Sequence, residues 1–536
     1  MRNWSLPVLL TLLLFVRPHL ALSDLPAIES VTTTPDRVIV VNGRPFLPIM
    51  AWLQPPDNFA ILKKCGINTT AGYWPGSGGT KDVADYMTRV REAGLYGVMP
   101  YHPALHNHPN LLAYIHDDEP DLPRQVSDAK VTPGEGLRIN ARTPLWRMVD
   151  GDESSWSVLD PLENATWTVT LNQPETVQRV AIWVTVSPGL SLPEEVVLSA
   201  EDKEVGRFSL EPKRGKQEFA LPSPVTAQEW RFTVTKVKPG EQVWGSISEI
   251  AAYTAEGKNV FLSPPRWVPR AMPEETLKVY RAVKAADPSR RMFMTFTGYF
   301  HPHFGKWSDE QRQNLYPAYI QATDVVGFDI YPIYGWNKPE WIHLVYEATE
   351  QLTALGGHRP VYAWIETSKG GQYTGDLERQ KDVRPEHIRA EVWMALCGGA
   401  TAIGYFTHIW KPSYRQFGVP EENQVALRAI NDQLTRLAPA ILSKRNTREL
   451  RLSISPEVRI AAFSTEYEEF MYVFAVNYDS GLKTAEVTFH IPSVDDSQSA
   501  TVEVIDEDRS LPLRDGQFTD TFAPLAVHIY RLRRPR

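Results

Sequence analysis

The sequence predicts an α/β fold: a (β/α)8 TIM barrel interrupted after strand four by an all-β sandwich, with a C-terminal β-sandwich after it. Three observations lead there. Apolar strand-like runs alternate with amphipathic helical stretches over 24–123 and again over 263–446, four strands in each block. Between the blocks, over 124–262, helical periodicity disappears and short β-type runs take its place. From 447 to 536 the chain is β-patterned once more. Strands that alternate with helices form parallel sheets covered by helices, and eight such units close a barrel.

The first block reads "RPFLPIMAW", "DNFAILKKCG", "INTTAGYWP", "DVADYMTRVREAGL", "YGVMPYHP", "LLAYIHDDEP", with Gly66 and Gly94 as helix stop signals. The insert carries "ATWTVTL", "VQRVAIWVTV", "EEVVLSA", "EWRFTVTKV" and "SEIAAY", the strands of one small sandwich. The second block gives helix "PEETLKVYRAVKAAD" and strand "RMFMTFTGYF", helix "SDEQRQNLYPAYIQATD" and strand "VVGFDIYPIYG". It continues with "PEWIHLVYEATEQLTALG" and "PVYAWIETS", "RPEHIRAEVWMALCGG" and "ATAIGYFTHIW", and a last helix, "ENQVALRAINDQLTRLAPAIL". The tail strands are "VRIAAFS", "FMYVFAVNY", "AEVTFHI" and "AVHIYRL".

Composition bounds the rest. At 536 residues, 43% apolar and 11% aromatic, the chain has several cores, and its 16 Trp and 21 Tyr exceed what packing alone needs. Residues 1–23 read as a cleaved signal peptide: Met1-Arg2, an apolar Leu6–Val16, then Ala21-Leu22-Ser23. That predicts export, to the periplasm or outside the cell. Cleavage removes Arg2 and Arg17 and no acid, so the mature chain is two charges more negative than the full-length −8. Such a chain suits neither nucleic acid nor membrane insertion. Cys65 and Cys397 are expected to be buried free thiols.

Barrel enzymes carry their chemistry at the C-terminal ends of the strands. Strand three ends at Tyr101-His102, strand four at Asp117-Asp118-Glu119, strand five runs into His301 and His303. Strand six carries Asp329 and Tyr331, strand seven Glu366, strand eight Tyr405, His408 and Trp410. Alternation along a strand puts Tyr362, Trp364 and Glu366 on one face, toward the axis, and Val361, Ala363 and Ile365 on the other. Two carboxyls from different strands suit glycoside hydrolysis, where one is protonated and one ionised, and crowding of acids raises one pKa. Glu119 is the expected proton donor. Histidines on separate strand ends, without a compact His/acid motif, point to sugar hydrogen bonding, with no metal and no cofactor.

This pattern resembles the clan A glycoside hydrolases, retaining enzymes built on a (β/α)8 barrel. The resemblance implies an acid/base Glu after strand four and a nucleophilic Glu after strand seven, here Glu119 in "HDDEP" and Glu366 in "AWIETS". It implies that Tyr331 hydrogen-bonds the nucleophile and that Trp410, with Tyr405 as competitor, floors the sugar. Many members carry Asn before the acid/base residue; here that position is Asp118, which can still accept a sugar hydroxyl. Tyr101, His102, Asp329, Trp364 and His408 complete the expected substrate contacts. The insert resembles a discoidin (F5/8 type C), galactose-binding-like domain, on "RMVDGDESSW", "ATWTVTLNQPETVQRVAIWV" and "WGSISEIAAY".

The function expected is a secreted, retaining hydrolase of β-linked oligo- or polysaccharide. The competing class is a non-catalytic carbohydrate-binding or surface protein on the same barrel. In that reading Glu119 is a surface acid, Glu366 a structural partner, and Asp329 with Tyr331 a buried hydrogen-bonded pair.

Overall fold

The computed structural model describes residues 25–140, 143–446, 450–491 and 501–533. The expected signal peptide lies outside them. The chain divides into two compact units: one runs to His116 and adds Tyr280–Met294 and the chain from Thr323 on, the other holds Asp117–Val279 and Thr295–Ala322.

The first unit is built on a closed barrel of eight strands. In chain order they are Ile49–Trp52, Thr69–Ala71, Tyr96–Pro100, Leu111–Ile115, Arg291–Thr297, Val325–Asp329, Val361–Glu366 and Ala402–Phe406. Strand eight pairs parallel with strand one, Ile403 opposite Ile49, and strand five pairs parallel with strand four, Met292 opposite Tyr114. The barrel interior is filled by alternate residues, among them Met50, Trp52, Ala71, Val98, Ile115, Phe293, Tyr362, Trp364 and Ala402. Two interior glycines make room for the large rings. A Cβ on Gly327 would lie 2.2 Å from the Tyr362 ring, and one on Gly404 would lie 2.1 Å from that of Trp364.

Helices α1 (Phe59–Lys64) and α2 (Val83–Glu92) are followed by Gly66 at φ +79° and Gly94 at φ +65°, the left-handed geometry their stop signals anticipate. Helices α3 (Pro273–Ala286), α4 (Asp309–Ile320), α5 (Leu344–Gly356), α6 (Pro385–Gly398) and α7 (Glu421–Ile441) follow. Helix α4 starts on a capping box between Ser308 and Gln311. Before the barrel, Val31–Thr33, Ile39–Val41 and Arg44–Phe46 form a three-stranded sheet with a hairpin turning on Asn42 and Gly43, both at positive φ; only its last strand falls in the run "RPFLPIMAW" expected as strand one.

After α7, strands in sheets of three and five form the C-terminal β-sandwich region. Its core holds Val473, Val487, Phe489, Phe518 and Tyr530. It is fastened to the barrel helices within the same unit: Trp393 of α6 stacks on Phe474, and Gln433 and Arg436 of α7 both reach Asp506. Cys65 and Cys397 are buried and free, as expected.

The second unit is dominated by a seven-stranded antiparallel sheet folded as a β-sandwich. Its two longest strands are Thr166–Val184 and Gly215–Lys238, and their pairing shifts register between Thr170 and Glu175 and between Val177 and Arg179. Such bulges bend a strand enough for it to serve both faces. Trp167, Trp230, Phe232 and Phe261 fill the core. The chain enters and leaves this sandwich side by side: Pro123–Val126 pairs antiparallel with Arg266–Pro269. Among the described residues, no helix is long and apolar enough to cross a membrane.

Candidate active site

The mouth of the first unit is aromatic. Phe406, the last residue of strand eight, faces inward above Gly404 and gathers its neighbours. Its ring lies 5.0 Å from Tyr331, 5.4 Å from Tyr334, 5.0 Å from His408 and 6.1 Å from Trp410, nearly parallel to the last. Tyr414 closes the group at 5.3 Å from Trp410 and is half exposed. Flat apolar faces of this kind suit the C–H faces of a sugar ring, with hydroxyls left for polar rims.

His408 is fixed inside that group. Burial pushes its pKa down to about 4, so the ring is neutral, and Nε2 lies 3.1 Å from the Trp52 carbonyl. A neutral imidazole can only donate there, which leaves Nδ1 as an acceptor facing the Tyr414 hydroxyl at 3.5 Å. Tyr334 keeps its hydroxyl buried without a partner, and burial pushes its pKa up.

Glu366 ends strand seven and is fully buried. Its carboxylate accepts the backbone N–H of Ile333 at 2.9 Å and of Tyr334 at 2.5 Å, both in the loop after strand six. These N–H groups take the place expected of the Tyr331 hydroxyl. Burial nevertheless raises its pKa to about 7, against the lowering effect of those bonds. Its other neighbour is Glu391 of α6, also fully buried, whose pKa is driven far up by burial and by Glu366 itself.

The other expected contacts are placed as follows. Tyr405 is fully buried, with its hydroxyl donating to Asn431 of α7 at 2.7 Å, so it faces the helices and is no sugar floor. Parity explains this, since inward residues of strand eight are Ala402, Gly404 and Phe406. Tyr101 meets His106 at 3.1 Å and packs on Tyr114, whose hydroxyl turns outward to Asp287. His102 is exposed and caps the following turn through the Ala104 N–H. Trp364 is only 3% exposed and packs in the barrel against Trp52. Asp329 ends strand six, partly buried.

Glu119 belongs to the second unit. It sits at φ +48°, a left-handed conformation uncommon outside glycine. The turn is held from both sides: Leu122 N–H donates to the Glu119 carbonyl, Ala271 N–H to that of Pro120, and Arg270 N–H to that of Leu122. The Arg270 side chain adds Nη1 to the Asp118 carbonyl at 2.7 Å and Nη2 at 3.5 Å from Glu119 Oε2. Asp118, half-buried, has its pKa raised to about 8, by desolvation first and then by Glu119. Beneath them Asp121 is fully buried and accepts Thr297 N–H, the Thr297 hydroxyl and the Tyr316 hydroxyl at 2.7–2.9 Å. The acid run is thus part titrating site and part structural knot.

Sequence reading missed Glu391, Phe406, Tyr414 and Arg270. A glutamate inside the apolar run "AEVWMALC" was a visible signal for the first, and strand parity for the second. Arg270 had none, because its partners are about 150 positions away in the chain. Among the described residues, no group of His, Cys, Asp and Glu is arranged to hold a metal ion.

No family model matches the sequence, and no curated protein matches it. Among solved structures, the chain is similar to the family 32 carbohydrate-binding module of NanJ from Clostridium perfringens in complex with galactose, at 15% identity and TM-score 0.21, over 24% of this chain and 98% of that one. It is similar to the CBM32-1 and CBM32-2 domains of Clostridium perfringens ZmpB in complex with GalNAc, at 20% identity and TM-score 0.21, over 24% and 35%. A third is the CBM32 of AlyQ in complex with 4,5-unsaturated mannuronic acid, at 18% identity and TM-score 0.21, over 24% and 98%.

Proposed function

We propose that the protein is an exported glycoside hydrolase on a TIM barrel, retaining in stereochemistry, acting on β-linked oligo- or polysaccharide. One observation carries the reading: a carboxylate at the end of strand seven, Glu366, borders the aromatic group of Tyr331, Tyr334, Phe406 and Trp410 at the barrel's C-terminal mouth. Glu366 would attack the anomeric carbon while Glu119 protonates the leaving oxygen; Glu119 would then activate water to release the sugar. Asp118, whose pKa burial raises, would be protonated and present a hydroxyl group to the substrate, where an ionised acid could only accept.

The test is turnover on a panel of aryl β-glycosides and polysaccharides. Glu366→Gln and Glu119→Gln should each lower the rate by roughly a hundredfold or more. Product analysis by NMR should show retained configuration. An unchanged rate in either variant removes that residue from the mechanism.

A second reading, glycan binding without turnover, is favoured by the enclosure of Glu366, which has no exposed surface and is engaged by two N–H groups and Glu391. In that case Trp410→Ala abolishes glycan affinity in calorimetry while no substrate is turned over by the wild type.

A further inference from the structure

Two carboxyl groups, from strand seven and helix α6, face each other with no exposed surface on either residue. The groups that bear on them are few. Tyr334 faces Glu366 from the loop after strand six, and Glu391 faces it from α6; no Lys, Arg or His among the described residues acts on either carboxyl. Two buried carboxylates in contact, without a cation, cannot both be ionised, because each adds its repulsion to the cost of desolvating the other. One proton must be retained.

The hydrogen bonds say where it resides. Glu366 receives two backbone N–H groups, which stabilise a negative charge. Glu391 receives none of good geometry on either oxygen; the Glu366 N–H only approaches it. Placing the proton on Glu391 turns an unsatisfied acceptor into a donor and gives Glu366 a third hydrogen bond. The reverse assignment would leave a buried charge on Glu391 without support.

We propose that Glu391 is a positioning residue: a carboxylic acid that stays protonated and donates its hydrogen to Glu366, fixing that carboxylate from the helix side. The proton sharing stands on the burial of the two acids, their mutual interaction and the unequal supply of N–H groups; the positioning role rests on the hydrolase reading.

Infrared difference spectra and pH-dependent unfolding test the sharing on the whole protein. At about pH 7 the wild type minus Glu391→Gln difference should contain the carbonyl band of one protonated acid, and the wild type minus Glu366→Gln difference should not, the other buried acids cancelling in both. Thermal midpoints of the wild type should fall more steeply than those of Glu391→Gln as pH rises above about 4.5, because the folded state then holds a proton the unfolded chain has released. A band kept in Glu391→Gln, a band lost instead in Glu366→Gln, or equal slopes would overturn the assignment. Should Glu391→Gln not fold, the wild type minus Glu366→Gln difference spectrum still decides it: the other buried acids cancel there, and a protonated-acid band lost with Glu366 would place the proton on that residue.

The positioning role is read from turnover. Glu391→Leu removes the donor, so the acid limb of the kcat profile should move up by about one pH unit, and Glu391→Gln should restore most of it. An unmoved limb would overturn the role. Absence of turnover in the wild type, with the infrared result intact, would count against the hydrolase reading and leave the shared proton standing.

Discussion

Arg270 holds Glu119 in two ways at once: Nη2 stands 3.5 Å from the carboxylate, and Nη1 donates at 2.7 Å to the carbonyl of the preceding Asp118. The guanidinium thereby grips both the side chain and the peptide that puts Glu119 in its left-handed conformation. Arg270 lies where the chain leaves the inserted sandwich, directly after the ribbon strand Arg266–Pro269. The insertion thus returns the residue that orders the acid turn.

That arrangement makes Arg270→Met informative. The ion pair is part-exposed, so its loss should cost at most about 1 kcal/mol of global stability. Turnover on the glycan panel should fall by about tenfold, since a shift of roughly 1.4 kcal/mol in the barrier suffices. Arg270→Lys should recover only part of it, because an ammonium cannot bridge the carbonyl and the carboxylate as a planar fork does. Equal rates in wild type and Arg270→Met would show that the turn holds itself.

The acids of the second unit predict a pH dependence whose sign is fixed. Asp118 is raised from about 3.8 to about 8 and Asp121 from about 3.8 to about 7, both chiefly by burial. A raised acid binds its proton more tightly when folded, so its contribution is complete below about pH 4 and is lost as pH rises through about 7 to 8. Asp150 and Glu249 slope the same way, so the informative quantity is a difference between variants. Asp118→Asn should flatten the fall in urea-unfolding free energy between about pH 5 and about pH 8 relative to wild type. Parallel curves would mean that Asp118 is ionised in the native protein.

How much of this the residues announce depends on the range of the interaction involved. Eight strands and the helices between them follow from local periodicity, and Gly66 and Gly94 end their helices where a Cβ-free residue is needed. The inward set of strand seven follows from alternation, and the structure has Tyr362 and Trp364 inside the barrel. Tyr405, which the family resemblance offers as a sugar floor, falls on the helix side because the inward residues of strand eight are Ala402, Gly404 and Phe406. The partners of Glu366 were not legible: backbone N–H groups in one loop and an acid on the next helix leave no spacing in the sequence. Pairing of Pro123–Val126 with Arg266–Pro269 was hidden likewise, because 139 residues of sandwich separate the two strands.

Tyr405 provides a control for the aromatic group. Its hydroxyl donates to Asn431 Oδ1, while Asn431 Nδ2 donates to the Cys65 carbonyl, so removing the hydroxyl leaves a buried acceptor unpaired. Tyr405→Phe should lower unfolding free energy by about 1–3 kcal/mol. Glycan affinity and turnover should stay as in wild type, whereas Trp410→Ala should lose both. If Tyr405→Phe instead weakened glycan binding without loss of stability, the residue would face the sugar after all.

The barrel interior supplies the most direct test of packing. Gly404 has no Cβ because the Trp364 ring occupies that position, 2.1 Å from where the atom would be. Real Cβ contacts do not approach so closely, so alanine must push a ring that is already wedged against Trp52 and Tyr362. Overpacking of this kind costs typically about 1–3 kcal/mol, sometimes more. Gly404→Ala should therefore lower the urea midpoint, and Trp364→Leu in the same chain should recover part of the loss by freeing the volume. Because Phe406 stands two residues along the same strand, a displaced Trp364 should also disturb the aromatic mouth, and glycan affinity should fall with stability in Gly404→Ala. Wild-type stability in that variant would mean that the ring has another place to go, and that the glycine is not what lets the tryptophan into the barrel.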